Sequence, residues 1–378
     1  MSENWKLPLY KIYTDDEDVN LITKIIKRGK DWAIGPEIEE FENEIKNYVG
    51  SKYCVTFNSG TSALHGLLVA YGLGEENEII IPSFSFISTA NSVVNIHAKP
   101  IFSDIEEITL GLDPQSVLEK ITSNTKAIMP VDYAGLSCNI KKIRQIADEK
   151  GILLIEDAAE SLGASISGKM VGSYADSAMF SFCGNKVLTT GEGGAIVTNS
   201  LKVYEKLKLI RSHGRLDSGN YFSDPTESKY VQLGHNWRMS TITESLGLSQ
   251  LAKLPKIIKM RQQNADYISS RLSKISEIQL PHVPPEYEHI YQMYTIRIKD
   301  KQTRNLLQQH LLYKQIFSKV YFYPIHLTEY YKEKFPTKEN SLPITEKISN
   351  QVLTLPMYPN MTNEEKNYLT ESILEFFE

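Results

Sequence analysis

A lysine lies between a predicted buried strand and a turn rich in glycine. Lys186 follows the apolar run Ala178–Phe182 and precedes Thr189–Gly194, which reads TTGEGG. Burial or a cationic neighbour makes a lysine amine nucleophilic, and such an amine forms Schiff bases. Most lysines lie on the solvated surface, but the glycines indicate close backbone packing here. The sequence therefore predicts a covalent catalytic role for Lys186.

A carboxylate stands at the end of another predicted buried strand. Asp157 follows the apolar stretch Ile152–Ile155, and open α/β sheets bind their ligands at the carboxyl ends of strands. A carboxylate in that place needs a cation, because its desolvation is otherwise unfavourable. A helix-capping aspartate is the alternative interpretation that these residues leave open.

The third chemical feature is a turn of small residues. The predicted strand Tyr53–Phe57 runs into Asn58–Leu64 (NSGTSAL), which opens a helix. The first amides of a helix and its positive dipole end bind phosphate, although Ser and Thr also serve as simple helix caps. Together with Asp157 and Lys186, this turn completes the set that pyridoxal phosphate requires: a phosphate anchor, an acidic partner for the pyridine nitrogen and a Schiff-base lysine.

Two glycine patterns resemble nucleotide motifs without completing them. Gly163–Lys169 fits GxxxxGK, but Met170 stands where a P-loop needs a hydroxyl for Mg²⁺. We predict a surface hairpin there. Gly191–Gly194 resembles part of a dinucleotide fingerprint, but Ile196 occupies the position of its third glycine. No metal site is predicted. None of the three cysteines forms a CxxC pair, and an odd, scattered count is a poor disulfide framework.

The elements that position these residues alternate along the first two thirds of the chain. Mostly continuous apolar runs predict strands at Tyr53–Phe57, Glu78–Ile81, Lys99–Ser103, Ala127–Val131, Ile152–Ile155, Ala178–Phe182 and Gly194–Thr198. Helical patterns such as Ser59–Tyr71 and Asn139–Lys150 lie between them. Such runs are typical of strands buried on both faces of a mainly parallel sheet. The pattern predicts an α/β fold with helices on both faces.

The last third has a different pattern. It predicts helices at Ile257–Ile275, Thr303–Tyr313 and Thr362–Phe377, and strands at Tyr291–Ile298 and Ser318–Tyr323. We therefore expect a large cofactor-binding α/β domain at residues 1–250 and a smaller α+β domain at residues 251–378.

Composition narrows the class of function. The chain has 378 residues and a net charge of −5, so it has no global electrostatic reason to bind nucleic acid. Three scattered cysteines fit a reducing compartment, and no apolar run approaches the length of about 20 residues that spans a bilayer. These features predict a soluble, cytoplasmic protein that binds neither nucleic acid nor membrane.

Five stretches resemble the DegT/DnrJ/EryC1/StrS family of sugar aminotransferases, which are fold-type I enzymes that use pyridoxal phosphate. They are Asn58–Leu64, Ile155–Gly163 (IEDAAESLG), Phe180–Gly194 (FSFCGNKVLTTGEGG), Gly234–Arg238 (GHNWR) and Tyr321–His326 (YFYPIH). Weaker similarity covers nearly the whole chain. The resemblance implies the fold-type I architecture, an amino-transfer reaction that passes through pyridoxamine phosphate, and a homodimer.

The resemblance also implies roles for single residues. Lys186 takes the position of the Schiff-base lysine, and Asp157 takes that of the carboxylate that keeps the pyridine nitrogen protonated. The other cofactor positions are Gly60, Thr61 and Ser181 at the phosphate, Phe86 against the ring, and Glu160 beside the cofactor.

Further positions concern the partner chain and the substrate. Asn236 matches a residue that reaches the phosphate of the neighbouring subunit, so each active site is expected to need two chains. Tyr321 and His326 match positions near the mouth of the family's active site. With His213 they are the candidate substrate contacts.

The substrate is implied less directly. Glu160 stands where many relatives carry Gln or His, and with GNK before TTGEGG it resembles the GDP-perosamine synthase subgroup. The expected reaction moves an amino group from L-glutamate to GDP-4-keto-6-deoxymannose. Glu244, where relatives have small apolar residues, and Leu216–Tyr230 depart from the subgroup.

Three alternatives stay open. One is an aminotransferase for a UDP- or dTDP-linked 3- or 4-keto-6-deoxy sugar. Another is the family's dehydratase branch, whose members carry His in place of the lysine, so that Lys186 argues against it. The third, from another class, is a regulatory or binding protein that keeps the fold without catalysis.

Overall fold

The computed structural model describes residues 5–216, 229–337 and 340–378. The helices are α1 (Asp16–Arg28), α2 (Pro36–Val49), α3 (Gly60–Tyr71), α4 (Ile87–Asn95), α5 (Pro114–Lys120), α6 (Ile140–Lys150), α7 (Leu201–Arg211), α8 (Thr241–Ala252), α9 (Leu254–Leu272), α10 (Lys301–Tyr313), α11 (Glu329–Lys334), α12 (Pro343–Gln351) and α13 (Asn363–Phe377). The strands are β1 (Tyr53–Phe57), β2 (Glu78–Pro82), β3 (Lys99–Ser103), β4 (Thr125–Ile128), β5 (Leu153–Asp157), β6 (Ser165–Ile166), β7 (Lys169–Met170), β8 (Ser177–Ser181), β9 (Gly194–Thr198), β10 (Ile278–Gln279), β11 (Tyr287–Glu288), β12 (Tyr294–Ile298) and β13 (Val352–Leu355).

The central sheet has seven strands in the order β1-β9-β8-β5-β4-β2-β3. β9 is antiparallel to both of its neighbours, and the other adjacent pairs are parallel. The predicted α/β fold with a mainly parallel sheet is confirmed, with one reversed strand that the apolar runs did not reveal. Because β5 and β8 are parallel neighbours, their carboxyl ends lie side by side at one edge of the sheet.

Helices cover both faces of this sheet. On one face, α3, α4 and α7 pack against side chains such as Ile155 of β5. On the other face, α5 and α6 pack against Leu154, the preceding residue of the same strand. Strand side chains alternate between the two faces, and here both faces are dry, which explains why the strands are continuously apolar rather than alternating.

The N-terminal helices have clear sequence signals that the sequence analysis did not use. Asp15 and Asp18 form a capping box at the start of α1. Pro36 is the first residue of α2, and Gly50 ends that helix in the left-handed region with φ of 81°. The two helices pack against α8.

The C-terminal elements form their own core. β10, β12 and β13 make an antiparallel sheet, and its apolar cluster includes side chains of α9, α10 and α13. The N-terminal residue Leu7 also belongs to this cluster and bridges to Ile316. The predicted boundary at residue 250 falls in the last turn of α8. The division into two domains stays a prediction.

The predicted strand Ser318–Tyr323 is wrong. The segment makes only an isolated bridge between Lys319 and Thr354. The Tyr321 carbonyl accepts a hydrogen bond from the Tyr133 hydroxyl at 2.6 Å, and Phe322 packs against Phe84. These contacts draw the segment toward the large sheet, so it does not continue a strand ladder.

The predicted hairpin at Gly163–Lys169 is confirmed. β6 and β7 pair antiparallel, and the turn between them uses Ser167 and Gly168, both at positive φ. Within the described ranges of the chain, no helix is both long and apolar enough to cross a lipid bilayer.

Candidate active site

The adjoining ends of β5 and β8 open into a cavity of about 370 Å³. Asp157 is the last residue of β5, and Lys186 lies in the turn that follows β8. Both line the cavity, and Gly60, Thr61, Phe86, Glu160, Ser181 and Tyr321 line it as well. The fold thus brings the residues predicted to contact the cofactor, apart from Asn236, to one place.

Asp157 is a buried carboxylate held by donors of its own chain. The Thr89 hydroxyl donates to Asp157 Oδ2 at 2.8 Å, and the Ala159 amide donates to Oδ1 at 3.3 Å. Burial raises the pKa of Asp157 to about 6, while the bond from Thr89 and the charge of Lys186 lower it. At neutral pH the group is therefore mostly ionised and suited to hold a protonated ring nitrogen.

The Lys186 amine faces a second carboxylate. Lys186 Nζ lies 3.3 Å from Glu160 Oε1. The other oxygen, Glu160 Oε2, accepts from the Ala134 amide at 2.8 Å. The lysine turn is itself held in place, because Gln292 Nε2 donates to the Asn185 carbonyl at 2.8 Å. The amine is therefore fixed inside the cavity, next to a carboxylate that cannot turn away freely.

The turn after β1 leaves room for an anion at the start of α3. Ser59 caps the helix, and its side chain accepts from the Ser62 amide. A Cβ on Gly60 would lie 3.1 Å from Met179 Sδ and 3.1 Å from Ser181 Cβ. Glycine therefore allows the start of α3 to lie close against the Ser181 side chain. The first amides of α3 and the Ser181 hydroxyl suit a phosphate group.

Two aromatic residues form the rim of the cavity. Phe86 precedes α4 and is 58% exposed. It is therefore not a core phenylalanine, which its sequence alone would have allowed. Its ring lies 6.4 Å from that of Phe322. Tyr321 is held by its backbone to Tyr133. An exposed ring at the mouth of a cavity can cover a flat ligand.

Three predicted residues lie outside this cavity. Asn236 and His213 are exposed on the surface and belong to neighbouring backbone segments. His326 is buried: its Nδ1 lies 2.6 Å from the Ser83 hydroxyl and its Nε2 lies 3.5 Å from a Glu346 oxygen. In the described chain His326 fastens its segment to the end of β2, and it does not reach the space that Lys186 faces.

The two departures noted in the sequence have different outcomes. Glu244 is fully buried in α8 and accepts from the Thr56 hydroxyl at 2.5 Å. Burial raises the pKa of Glu244 well above its ordinary value. The carboxyl group thus replaces apolar packing by a hydrogen bond to β1. Most of Leu216–Tyr230, namely residues 217–228, lies outside the described residues.

Some residues that shape the site were missed by the sequence analysis. Thr89 bonds Asp157, and the Ala134 amide bonds Glu160. Thr89 lies one helical turn after Phe86, and this spacing could have revealed it. Ala134 has no sequence signal, because its contribution is a backbone amide in a loop with φ of 60°.

These residues fit pyridoxal phosphate. The Gly60 turn, Thr61 and Ser181 would hold its phosphate, Asp157 would face its ring nitrogen, and Lys186 would reach its aldehyde carbon. The observation that favours this fit is the close approach of the Gly60 turn to Ser181, where a Cβ on residue 60 would lie 3.2 Å from the Ser181 hydroxyl oxygen. A buried carboxylate and an amine in the same cavity add the two remaining groups that this cofactor needs.

Comparisons with known proteins agree with this site. The profile of the DegT/DnrJ/EryC1/StrS aminotransferase family matches residues 13–374. The chain is 33% identical, over 98% of both chains, to GDP-perosamine synthase of Escherichia coli O157:H7. Its structure is similar to that of Helicobacter pylori PseC, an aminotransferase involved in the biosynthesis of pseudoaminic acid, with a TM-score of 0.93 and 29% identity over 98% of this chain and 99% of that one. It is also similar to Spr1654 of Streptococcus pneumoniae in its PLP form, with a TM-score of 0.90 and 25% identity over 98% and 97% of the two chains.

Proposed function

Since this chain belongs to the DegT/DnrJ/EryC1/StrS aminotransferase family, we propose that it uses pyridoxal phosphate to move an amino group from L-glutamate to a nucleotide-linked keto sugar. The observation that carries the proposal is the placement of Lys186, Asp157 and the Gly60 turn around one cavity. The cofactor, when bound, supplies an electron sink and the carrier for the amino group.

Different residues of the chain transfer protons, keep the cofactor ring protonated and bind its phosphate. Lys186 Nζ takes a proton from the carbon of the amino donor and returns one to the carbon of the sugar. Asp157 keeps a proton on the ring nitrogen, since an adjacent negative charge favours the charged form of that nitrogen. Glu160 orients the lysine amine through the 3.3 Å contact. The Gly60 turn and Ser181 bind the phosphate and so fix the ring.

The favoured acceptor is GDP-4-keto-6-deoxymannose, which would yield GDP-perosamine. Two observations support it: Glu160 beside Lys186, and the 33% identity to a GDP-perosamine synthase. The alternative is a UDP- or dTDP-linked 3- or 4-keto-6-deoxy sugar. It stays open because PseC, an aminotransferase involved in the biosynthesis of pseudoaminic acid, has a similar structure and serves a different biosynthesis. The reaction class is the same in both cases.

The test is incubation of the enzyme with pyridoxal phosphate, L-glutamate and each keto sugar nucleotide in turn. Mass spectrometry of the product and assay of 2-oxoglutarate follow. The proposal expects the amino sugar with the GDP-linked substrate. Turnover only with a UDP- or dTDP-linked sugar would select the alternative. No amino sugar with any of them would favour the binding-protein interpretation.

A homodimer is also part of the proposal. The segment 229–237, which we call the strap, exposes large apolar side chains: Leu233 is 85% exposed, and Tyr230 and Val231 are exposed as well. The strap also carries the exposed Asn236, and the Trp237 carbonyl accepts from the Asn58 amide beside the phosphate turn at 2.8 Å. A second copy of the chain would cover these side chains and bring Asn236 to its phosphate.

A further inference from the structure

Two carboxyl groups are buried together behind the cavity, on the opposite face of β5 from Asp157. Glu156 and Asp132 are each fully buried. Val131 pairs in parallel with Asp157, so the side chains of Asp132 and Glu156 lie on the same side of two paired segments, and each acts on the pKa of the other. We call them the carboxyl pair. None of the chemistry described above uses them, although Glu156 immediately precedes Asp157.

The pair connects segments that build the floor of the cavity. Asp132 Oδ1 accepts from the Cys138 amide at 2.8 Å, and Oδ2 accepts from the Ser161 hydroxyl at 3.1 Å. Glu156 Oε2 accepts from the Gly172 amide at 2.8 Å. The pair therefore ties together the loop 132–138, the turn 158–161 and the segment that follows the hairpin.

Asp132 contacts both of the segments that position Glu160. The loop 132–138 supplies the Ala134 amide that bonds Glu160, and the turn 158–161 contains Glu160 itself. The backbone adds a third link, since the Asp132 amide donates to the Asp157 carbonyl at 3.1 Å. A shift of Asp132 would therefore move the partners of Lys186 and the backbone of Asp157 together.

Two carboxylates cannot bond each other without a proton between them. Asp132 receives donors at both oxygens, from Cys138 and Ser161, which favours its ionised form. No N–H or O–H group in the described part of the chain donates to Glu156 Oε1, which is buried. Burial raises the pKa of Glu156 well above its ordinary value. A buried carboxyl oxygen without a donor is better satisfied as an O–H group, and Asp132 is the neighbouring acceptor.

We propose that Glu156 and Asp132 share one proton, held on Glu156, and that the pair is a positioning device for Asp157 and Glu160. The second half of this statement rests on the proposed function, and the first half does not. The other titratable groups that interact with the pair are Cys138, Lys169, Tyr174 and Tyr287. Among these only Lys169 is a cation, and it is exposed.

Infrared spectroscopy of the cofactor-free protein tests the shared proton. A protonated carboxylic acid has a carbonyl stretch that a carboxylate lacks and that shifts in deuterated water. At neutral pH we expect the Glu156→Gln variant to lose one such band relative to the wild type. Asp104→Asn is the matched control, since Asp104 is also buried but each of its oxygens accepts from a backbone amide, those of Ile344 and Thr345. If the Glu156→Gln variant keeps every such band of the wild type, Glu156 does not carry the proton.

The positioning role is tested by the dissociation constant of pyridoxal phosphate, which absorbance titration of the folded protein measures. Glu156→Gln keeps a donor toward Asp132 and an acceptor for Gly172, so its dissociation constant should stay within about twofold of the wild type. Glu156→Leu removes both bonds and should weaken binding about tenfold or more. Asp104→Asn lowers stability without touching the site, and its binding should not change.

The outcomes separate the two halves of the proposal from the proposed function. If Glu156→Leu binds pyridoxal phosphate as tightly as the wild type, the pair does not position the site. If Glu156→Gln weakens this binding as much as Glu156→Leu does, Glu156 is not neutral in the wild type. If Glu156→Leu does not fold, Ser161→Ala takes its place, because it removes only one hydroxyl; unchanged binding would then refute positioning. Failure of amino transfer to every sugar, with the infrared band and the binding pattern intact, would contradict the proposed function alone.

Discussion

The floor of the cavity and its rim differ in how completely one chain forms them. At the floor, Asp157, Glu160 and Lys186 are each held by hydrogen bonds or an ion pair within the chain. At the rim, Phe86 is 58% exposed, and on the strap nearby Leu233 is 85% exposed. The floor is therefore set before any ligand binds, whereas the rim presents surfaces that a cofactor, a substrate or a second chain can cover.

This difference separates chemistry from recognition. In the proposed function the groups at the floor carry out amino transfer. Asp157 ends the buried strand β5, and Glu160 and Lys186 lie in the turns that follow β5 and β8, close to these rigid supports. The rim is formed by loops, where substrate differences within a fold are usually made. Changes at the floor should therefore abolish the reaction, and changes at the rim should weaken binding.

The largest expected effect is at the floor. Lys186→Ala removes the amine, so turnover should fall on the order of 10⁴-fold or more, while the circular dichroism spectrum stays that of a folded protein. Lys202→Ala, on the exposed face of α7, is the matched control and should keep wild-type turnover. If Lys186→Ala keeps its activity, Lys186 is not the catalytic lysine.

The next effect concerns the charge of Asp157. Its pKa is about 6 in the cofactor-free protein, above the ordinary 3.8. The native state therefore binds this proton more tightly than the unfolded state. The contribution of Asp157 to the free energy of unfolding should fall by about 3 kcal/mol as the pH rises from about 3 to about 7, and it should stay level at higher pH.

Asp157→Asn should remove this fall, and urea unfolding of both proteins across that pH range measures it. The same variant should lower turnover about 10²-fold, because an amide does not hold a proton on the ring nitrogen. An unchanged pH profile in Asp157→Asn would mean that the carboxyl group is better solvated than its burial indicates.

A smaller effect is expected on the strap. Asn236→Ala should lower activity about tenfold, since one hydrogen bond to a charged phosphate is lost. Mixed with Lys186→Ala, it should regain activity, because each heterodimer then contains one site with both residues intact. Heterodimers verified by mass spectrometry that show no recovery would contradict a site shared between two chains.

The smallest effect is expected at the rim. Phe86→Leu removes a ring that is mostly exposed, so stability should change little. Binding of pyridoxal phosphate should weaken about two- to tenfold through the lost stacking. Absorbance titration measures it. A loss as large as that of Lys186→Ala would erase the distinction between floor and rim.

The Gly60 turn, Asp157 and Lys186, which the sequence marks by local signals, line one cavity. A strand end, a small-residue turn and a lysine before glycines each lie within a few residues, and the strands themselves follow from their apolar runs. The antiparallel direction of β9 and the hydrogen bond from the Ala134 amide to Glu160 are not local, since they depend on backbone groups distant in the chain.

Two other differences have the same cause. His326 matches a position near the mouth of the site, but its bond to Ser83, 243 residues away, buries it. The predicted strand Ser318–Tyr323 does not form, because Tyr133 takes the Tyr321 carbonyl. Residues that contact others across the fold cannot be placed from spacing alone, whereas the capping box of α1 could have been recognised.

The most direct test is the visible absorption spectrum of the purified protein with pyridoxal phosphate, recorded before and after addition of L-glutamate. We expect a visible band from cofactor bound at Lys186, which glutamate converts into the shorter-wavelength band of pyridoxamine phosphate. The Lys186→Ala protein should not show the first band. If wild-type protein shows no bound-cofactor band, the floor of the cavity is not the site of amino transfer.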